Sequence, residues 1–151
     1  MHKMEAIILI GIQATGKSTF YIERFFNSHM RISIDLLNTR NKEQRFLETC
    51  FSIQQPFVID NTNPTKLDRE KYIKQAKENK YKVTGYYFQS KIEDSIERNN
   101  SRIGKAKIPE IGIKGTFNKL ELPSRNEGFD ELYYVKIKDN KFEVTNWENE
   151  I

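Results

Sequence analysis

One stretch decides the expected fold: Ala6-Ile7-Ile8-Leu9-Ile10-Gly11-Ile12-Gln13-Ala14-Thr15-Gly16-Lys17-Ser18-Thr19. From Gly11 it reads G-x-x-x-x-G-K-S-T, the phosphate-binding loop pattern. The apolar run before the loop predicts a buried strand, and the amphipathic run over residues 19–26 predicts a helix. This order of strand, loop and helix is the context in which the pattern binds a nucleoside triphosphate. The alternative, a glycine-rich turn without a ligand, is much less favoured.

The residue types in this phosphate loop, residues 11–18, have a chemical reason. Two glycines let the backbone wrap closely around a polyphosphate, so that its N–H groups can donate to phosphate oxygens. Lys17 can then reach the β- and γ-phosphates, and the Ser18 hydroxyl can bind Mg²⁺. The positive end of the following helix dipole adds to the attraction. The predicted nucleotide-binding residues are Gly11, Gln13, Ala14, Thr15, Gly16, Lys17, Ser18 and Thr19.

Length and composition set the class of protein. The chain has 151 residues, which predicts a single domain over residues 1–151. Its net charge of +4 favours polyanionic partners, although any nucleotide-binding protein needs local positive charge. No apolar run approaches the ~20 residues of a membrane span, so no membrane partner is expected. The lone Cys50 excludes an internal disulfide, and with no signal-peptide core it predicts a cytoplasmic location.

Apolar periodicity predicts strands that alternate with helices. The predicted strands cover residues 6–10, 30–34, 56–60, 82–88 and 132–137, and the predicted helices cover residues 19–26, 42–53, 64–79, 92–103 and 116–122. Asp139-Asn140 predicts a two-residue hairpin turn into a last short strand over residues 142–145. We therefore expect an α/β fold of three layers, with a five-stranded, mostly parallel sheet and a small C-terminal hairpin.

Two aspartates end predicted strands at the edge where such sheets bind ligands. Asp60 follows a buried strand, the position of a carboxylate that holds Mg²⁺ directly or through water. Asp35 ends the second strand, where a carboxylate could take the proton of an acceptor hydroxyl. The alternatives are a turn-opening role for Asp60 and a helix N-cap for Asp35.

Arg98 and Arg102 lie four residues apart on a predicted helix, so they should share one face. Like charges at that spacing repel slightly unless an anion lies between them. Lys105 and Lys107 follow at once. This pattern predicts a lid, over about residues 98–122, that closes on a triphosphate. The alternative is a solvated basic face.

These residues together resemble the P-loop kinases typified by the 5′-kinase domain of polynucleotide kinase, a group that includes zeta-toxin-like kinases. The resemblance covers nearly the whole chain. Its marks are the loop, the strand-end Asp35, Ile59-Asp60-Asn61-Thr62-Asn63-Pro64, Arg98-Asn99-Asn100-Ser101-Arg102, Ile108-Pro109, Leu122-Pro123 and Glu127-Gly128-Phe129.

The resemblance implies a P-loop kinase fold and an ATP- and Mg²⁺-dependent transfer of the γ-phosphate to a hydroxyl, best taken as the 5′-OH of a polynucleotide. It implies that Lys17 and Ser18 hold the triphosphate and Mg²⁺, that Asp35 is the general base, and that Arg98 and Arg102 clamp the donor phosphates. Arg40 and Asn61 are the candidate acceptor contacts.

The sequence also departs from the family pattern. Gln13 and Ala14 replace the usual Pro-Gly pair of the loop, and Asn38 replaces an arginine that contacts the acceptor phosphate in the phage enzyme. Two further functions therefore stay open: a kinase of the same fold that acts on a nucleoside or a sugar, and an NTP-binding regulatory ATPase with no acceptor.

Overall fold

The computed structural model describes residues 4–148, except for the Lys105 side chain. The strands are β1 (Glu5–Ile10), β2 (Met30–Ile32), β3 (Phe57–Ile59), β4 (Lys82–Phe88), β5 (Glu131–Lys138) and β6 (Lys141–Asn146). The helices are α1 (Lys17–Phe25), α2 (Ile34–Leu37), α3 (Arg40–Ile53), α4 (Lys66–Glu78), α5 (Ile92–Asn100) and α6 (Glu110–Lys119), with 3₁₀ turns at Gly104–Ala106 and Arg125–Glu127.

The strands form one sheet in the order β2-β3-β1-β4-β5-β6. All neighbouring pairs are parallel except β5 and β6. This confirms the predicted α/β class and corrects the strand count from five to six, because the hairpin strand β6 extends the same sheet. Asp139 and Asn140 form the hairpin turn with φ angles of 52° and 60°, the left-handed backbone that such a turn requires.

Both faces of the central strands are buried, which gives the three layers. Alternate residues of β1 enter different apolar clusters. Ile8 and Ile10 pack with Leu47 of α3 and Tyr72 of α4, whereas Ile7 and Leu9 pack with Phe20 of α1. A strand buried on both faces reads as a continuous apolar run rather than an alternating one, as residues 6–10 do. Within residues 4–148, no helix is both long enough and apolar enough to cross a membrane.

Several helix boundaries differ from the predictions, and the start of α4 is one of them. Helix α4 begins after Thr65, which forms a capping box with Asp68, rather than at Asn63-Pro64. Asn63 instead has a left-handed φ of 47° and donates to the Leu9 carbonyl at 2.7 Å, so it ties the segment after β3 to β1.

The segment predicted to be irregular, residues 104–115, contains the start of α6. This helix begins at Glu110, directly after Pro109, six residues before the predicted start at 116. It continues through Gly112 and Gly115. Because glycine has a low helix propensity, the sequence did not predict a helix here. The buried Ile113 anchors it, because tertiary burial outweighs weak local propensity.

Candidate active site

The phosphate loop joins β1 to α1 and is held from two neighbouring strands. Its first N–H, from Gly11, donates to the Thr62 carbonyl at 3.0 Å, and the Ile12 N–H donates to Ser90 Oγ at 3.2 Å. Gly16 has a left-handed φ of 94°, and a Cβ there would lie 2.9 Å from Phe142 Cε1 of β6. Both the backbone angle and the close ring therefore require glycine at this position.

Lys17 is buried, and its ammonium donates hydrogen bonds to backbone carbonyls at the start of the phosphate loop. Its Nζ donates to the carbonyls of Gly11 at 2.9 Å and Ile12 at 2.6 Å. Burial, helped by the positive charge of Arg102 and opposed by Asp60 and Asp35, lowers the pKa of Lys17 to about 8. The loop carbonyls therefore surround the Lys17 ammonium, and this buried cation has no full counter-charge.

Ser18 and Asp60 lie together, as the predicted metal site requires. Ser18 Oγ donates to Asp60 Oδ2 at 2.8 Å, and the Asp60 side chain is only 2% exposed. Magnesium is usually held by one or two carboxylates together with substrate phosphates, so a hydroxyl and one carboxylate are a suitable donor set. No group of three or more His, Cys, Asp or Glu side chains suited to a metal occurs among the described residues.

A residue that the sequence analysis missed, Arg31, shares this site. Its Nε donates to Asp60 Oδ2 at 2.8 Å, and its Nη2 lies 3.5 Å from Ser18 Oγ. Arg31 lies in the middle of β2 opposite Val58. The only hint in the sequence was a charged residue between the apolar Met30 and Ile32 of an edge strand. Charged side chains that point to solvent are common in edge strands, so this hint does not indicate a functional residue.

Asp35 does not end a strand, which corrects its predicted placement. Strand β2 stops at Ile32, and Asp35 is an exposed residue in the first turn of α2. The chain turns early because the Asn61 side chain accepts the Ile34 N–H at 2.8 Å, which replaces a strand partner and starts the helix. The N-cap of α2 is Ser33, so the N-cap alternative for Asp35 is also wrong.

Asp35, Arg40 and Asn61 line one cavity of about 280 Å³, called here the α2–α4 cavity. Its wall also includes Gln13 of the phosphate loop and residues of α4 and α6. The cavity is near the lower end of the size range of small-molecule sites. The full lining is Gln13, Ile34, Asp35, Arg40, Asn61, Thr62, Asn63, Pro64, Asp68, Lys71, Tyr72, Ile108, Thr116 and Lys119.

A buried carboxylate organises one side of this cavity. Glu43, whose side chain is 2% exposed, accepts hydrogen bonds from Arg40 at 3.2 Å, from the Tyr72 hydroxyl at 2.9 Å and from Asn61 Nδ2 at 3.0 Å. Lys71 Nζ lies 3.5 Å away. Burial and then the Glu43 charge raise the pKa of Tyr72, so its hydroxyl stays a donor. Sequence reasoning missed Glu43, because a glutamate in a first helical turn is usually solvated.

The two lid arginines lie in different elements, contrary to the prediction. Helix α5 ends at Asn100 rather than at residue 103, so only Arg98 is helical. Arg98 Nη1 donates to the Ala14 carbonyl of the phosphate loop at 3.2 Å, and Arg102 Nη1 donates to the Ala106 carbonyl at 3.2 Å. The Arg102 charge nonetheless helps to lower the pKa of Lys17, whereas only Arg98 hydrogen-bonds to the loop.

Gln13 connects the phosphate loop to α6. Its Nε2 donates to Thr116 Oγ1 at 3.0 Å, and the Thr116 hydroxyl donates in turn to the Gly112 carbonyl at 3.0 Å. Because the threonine proton is used there, its oxygen can only accept from Gln13, which fixes the orientation of the amide. Gln13 Oε1 is buried without a partner among the described residues.

Two curated proteins are similar in sequence. A bifunctional polynucleotide phosphatase/kinase from Schizosaccharomyces pombe is 27% identical over 147 residues, which cover 95% of this chain and 36% of that protein. A putative bifunctional polynucleotide phosphatase/kinase from Acanthamoeba polyphaga mimivirus is 31% identical over 147 residues, covering 92% of this chain and 35% of that protein. The chain thus spans about a third of the length of these relatives. No family model matches the sequence.

Solved structures share the fold at low identity. Kti12 from Chaetomium thermophilum, in complex with ADP-AlF3, has a TM-score of 0.64 at 15% identity, with 89% of this chain and 90% of that chain covered. A gluconokinase from Sinorhizobium meliloti 1021 has a TM-score of 0.61 at 17% identity, with 89% and 84% covered. The phosphate loop, the sequence matches and the shared architecture agree, and the chain has the fold of the P-loop kinases.

Proposed function

We propose that this chain is an ATP- and Mg²⁺-dependent kinase that phosphorylates the 5′-hydroxyl of a polynucleotide. One observation carries the proposal: Asp35, Arg40 and Asn61 line a single cavity that reaches the phosphate loop at Gln13. A phosphoryl donor, a carboxylate and a cationic contact for an acceptor would then meet within one site. The names of the two polynucleotide phosphatase/kinase relatives support the choice of acceptor.

On the donor side, the phosphate loop would hold the triphosphate. Lys17 would exchange its bonds to the loop carbonyls for the β- and γ-phosphates, which return a counter-charge to a buried cation. Ser18 and Asp60 would hold Mg²⁺. When bound, this ion neutralises charge on the phosphates.

On the acceptor side, Asp35 would orient the attacking hydroxyl and take its proton. The acceptor oxygen forms a bond to the γ-phosphorus as the bond from that phosphorus to the bridging oxygen breaks, and ADP leaves with the electron pair. The proton passes to the Asp35 carboxylate. Its charge already acts on Lys17, which supports a place for Asp35 near the transferred group.

The segment 98–122 would act as the lid. Arg98 touches the loop at Ala14, and Arg102 lies close enough to influence Lys17. Both can stabilise charge that develops on the transferred phosphoryl group, since fixed cations act strongly in a site that excludes water.

Three cations around the α2–α4 cavity favour an anionic acceptor. Arg40, Lys71 and Lys119 all line it, and the side chains of Arg40 and Lys71 are 61% and 44% exposed. Exposed cations of this kind suit the backbone phosphates of a nucleic acid better than a neutral sugar. Although Arg40 and Lys71 also pair with Glu43, this observation supports a polynucleotide acceptor over a neutral small molecule.

The test is transfer of labelled γ-phosphate from ATP with Mg²⁺ to a 5′-OH oligonucleotide, to a nucleoside mixture, or to no acceptor, with Lys17→Ala as the control. Label on the oligonucleotide that disappears in the control would support the proposal. Label only on nucleosides would indicate a small-molecule kinase. Label only in free phosphate, released steadily without an acceptor, would indicate a regulatory ATPase.

The role of Asp35 has its own test. Asp35→Asn should keep ATP binding, because the residue lies in α2 and outside the phosphate loop. It should lower the transfer rate by about 10²–10⁴, the usual contribution of a general base. Unchanged turnover would remove Asp35 from the mechanism. Glu48→Gln, at an exposed carboxylate of α3 outside this cavity, is the control and should leave the rate within about threefold of the unchanged protein.

A further inference from the structure

Arg31 holds a position that the proposed reaction does not explain. Its guanidinium lies against the two groups proposed to bind Mg²⁺, with Nε 2.8 Å from Asp60 Oδ2 and Nη2 3.5 Å from Ser18 Oγ. The same carboxylate oxygen also accepts the Ser18 hydroxyl at 2.8 Å. A cation therefore already lies where these two oxygen ligands converge.

Burial explains why Asp60 needs a cation when no metal is bound. The Asp60 side chain is 2% exposed, whereas that of Arg31 is 31% exposed. A buried carboxylate without a partner is strongly unfavourable, and water reaches this one poorly. The more exposed Arg31 can leave at lower cost, because its head group can return to solvent.

We infer that Arg31 is a stand-in cation that competes with the metal ion for Asp60 Oδ2. In the nucleotide-free protein the guanidinium neutralises the carboxylate, so a metal ion alone must displace it and binds weakly. Nucleotide phosphates supply further ligands and further negative charge, which shift the exchange toward the metal. Arg31 thereby makes metal binding depend on nucleotide binding. This inference rests on the metal role proposed for Ser18 and Asp60.

The competing explanation is an ordinary ion pair that fastens β2 to the end of β3. Both explanations predict that removing Arg31 destabilises the protein. The two explanations differ in what restores the stability of an Arg31 variant. A metal ion can neutralise Asp60 in place of the guanidinium, but it cannot replace a side chain that links β2 to the end of β3. The decisive measurement is therefore the response of the variants to a metal ion alone.

The experiment measures Mn²⁺ binding to nucleotide-free protein by electron paramagnetic resonance, and the thermal midpoint with and without Mn²⁺. The variants are Arg31→Met and Arg31→Gln, the second of which keeps a neutral N–H donor for Asp60 in case the first folds poorly. Arg45→Met is the matched control, since Arg45 is an exposed arginine whose side chain donates to Asn41, one turn away on α3, at 3.2 Å.

Both Arg31 variants should bind Mn²⁺ about tenfold or more tightly than the unchanged protein, because a monovalent cation no longer opposes the divalent one. Mn²⁺ should raise their thermal midpoints and leave those of the unchanged protein and Arg45→Met in place. Adding Asp60→Asn to Arg31→Met should abolish the gain.

Equal Mn²⁺ affinity with and without Arg31 would overturn the inference, and so would a gain that survives Asp60→Asn. Because no nucleotide or acceptor is present, this result is independent of the transfer assay. A working kinase with no cation exchange would refute only the role of Arg31, whereas exchange without transfer would refute only the proposed function.

Discussion

Raising the pH above about 8 should weaken nucleotide binding, because Lys17 then loses its proton in the free protein. Burial lowers the pKa of this ammonium to about 8, and the charge of a bound triphosphate would hold the proton on. Binding above that pH therefore takes up one proton. The association constant should fall about tenfold by pH 9 and about 30-fold by pH 9.5 relative to its value below the pKa, since each unit beyond the pKa contributes a factor of ten.

The measurement is a titration with a fluorescent ATP analogue and Mg²⁺ from about pH 7.5 to 9.5, a range in which the phosphates stay fully ionised. Calorimetry in two buffers of different ionisation enthalpy should detect the proton uptake directly. Lys17→Arg is the control, because a guanidinium does not deprotonate and its profile should be flat. A flat profile for the unchanged protein, or an equal decline in the control, would refute the reasoning.

The lowered pKa of Lys17 also affects stability, and here a higher pH stabilises the folded protein instead of weakening it. Below about pH 8 Lys17 is charged in both the folded and the unfolded chain, and its burial is then unfavourable. Between that pH and the ordinary lysine value of 10.5, the unfolded chain binds more protons than the folded one. The contribution of Lys17 to the free energy of unfolding therefore rises across this window.

Three further variants test the packing around the site. Arg69→Met should lower the free energy of unfolding by about 3–5 kcal/mol in urea titrations, because Arg69 is fully buried and pairs with Glu127 at 2.8 Å; a loss below about 1 kcal/mol would contradict this. Gly16→Ala should abolish nucleotide binding, measured by the fluorescent titration, since its Cβ meets a ring at 2.9 Å. Thr116→Val should speed nucleotide dissociation about fivefold in stopped-flow measurements, because Gln13 loses a hydrogen bond worth about 1 kcal/mol. An unchanged rate would show that the hydrogen bond between Gln13 and Thr116 does not help to hold the lid closed.

Strong local patterns made most of the sheet predictable. Residues 6–10 and 57–59 are apolar runs with no polar interruption, and the Asp139-Asn140 pair specifies its turn chemically. Asp60 was placed correctly at the end of a strand because a single carboxylate followed a fully apolar run. The α6 start was missed because Gly112 and Gly115 hide its periodicity, and burial against the rest of the fold is not visible in local sequence.

The site was predictable where a residue stands out in its own stretch of sequence, as the phosphate loop and Asp60 do. Asp35 was displaced from its predicted place by Asn61, a residue from a neighbouring strand end that takes the Ile34 N–H. Arg31 and Glu43 were missed for the same reason. Each is one charged residue in an ordinary pattern, and each gains its role from a partner more than ten residues away.

The contact between Gly16 and the Phe142 ring has a consequence for how the protein is made. The phosphate loop and α1 leave the ribosome before Phe142, whose ring also packs edge-on against Phe20 at 5.2 Å and which is synthesised more than a hundred codons later. A nascent chain halted before β6 has the complete loop sequence but lacks the ring beside Gly16. We therefore expect its affinity for nucleotide to rise once β6 has been synthesised and the hairpin has closed.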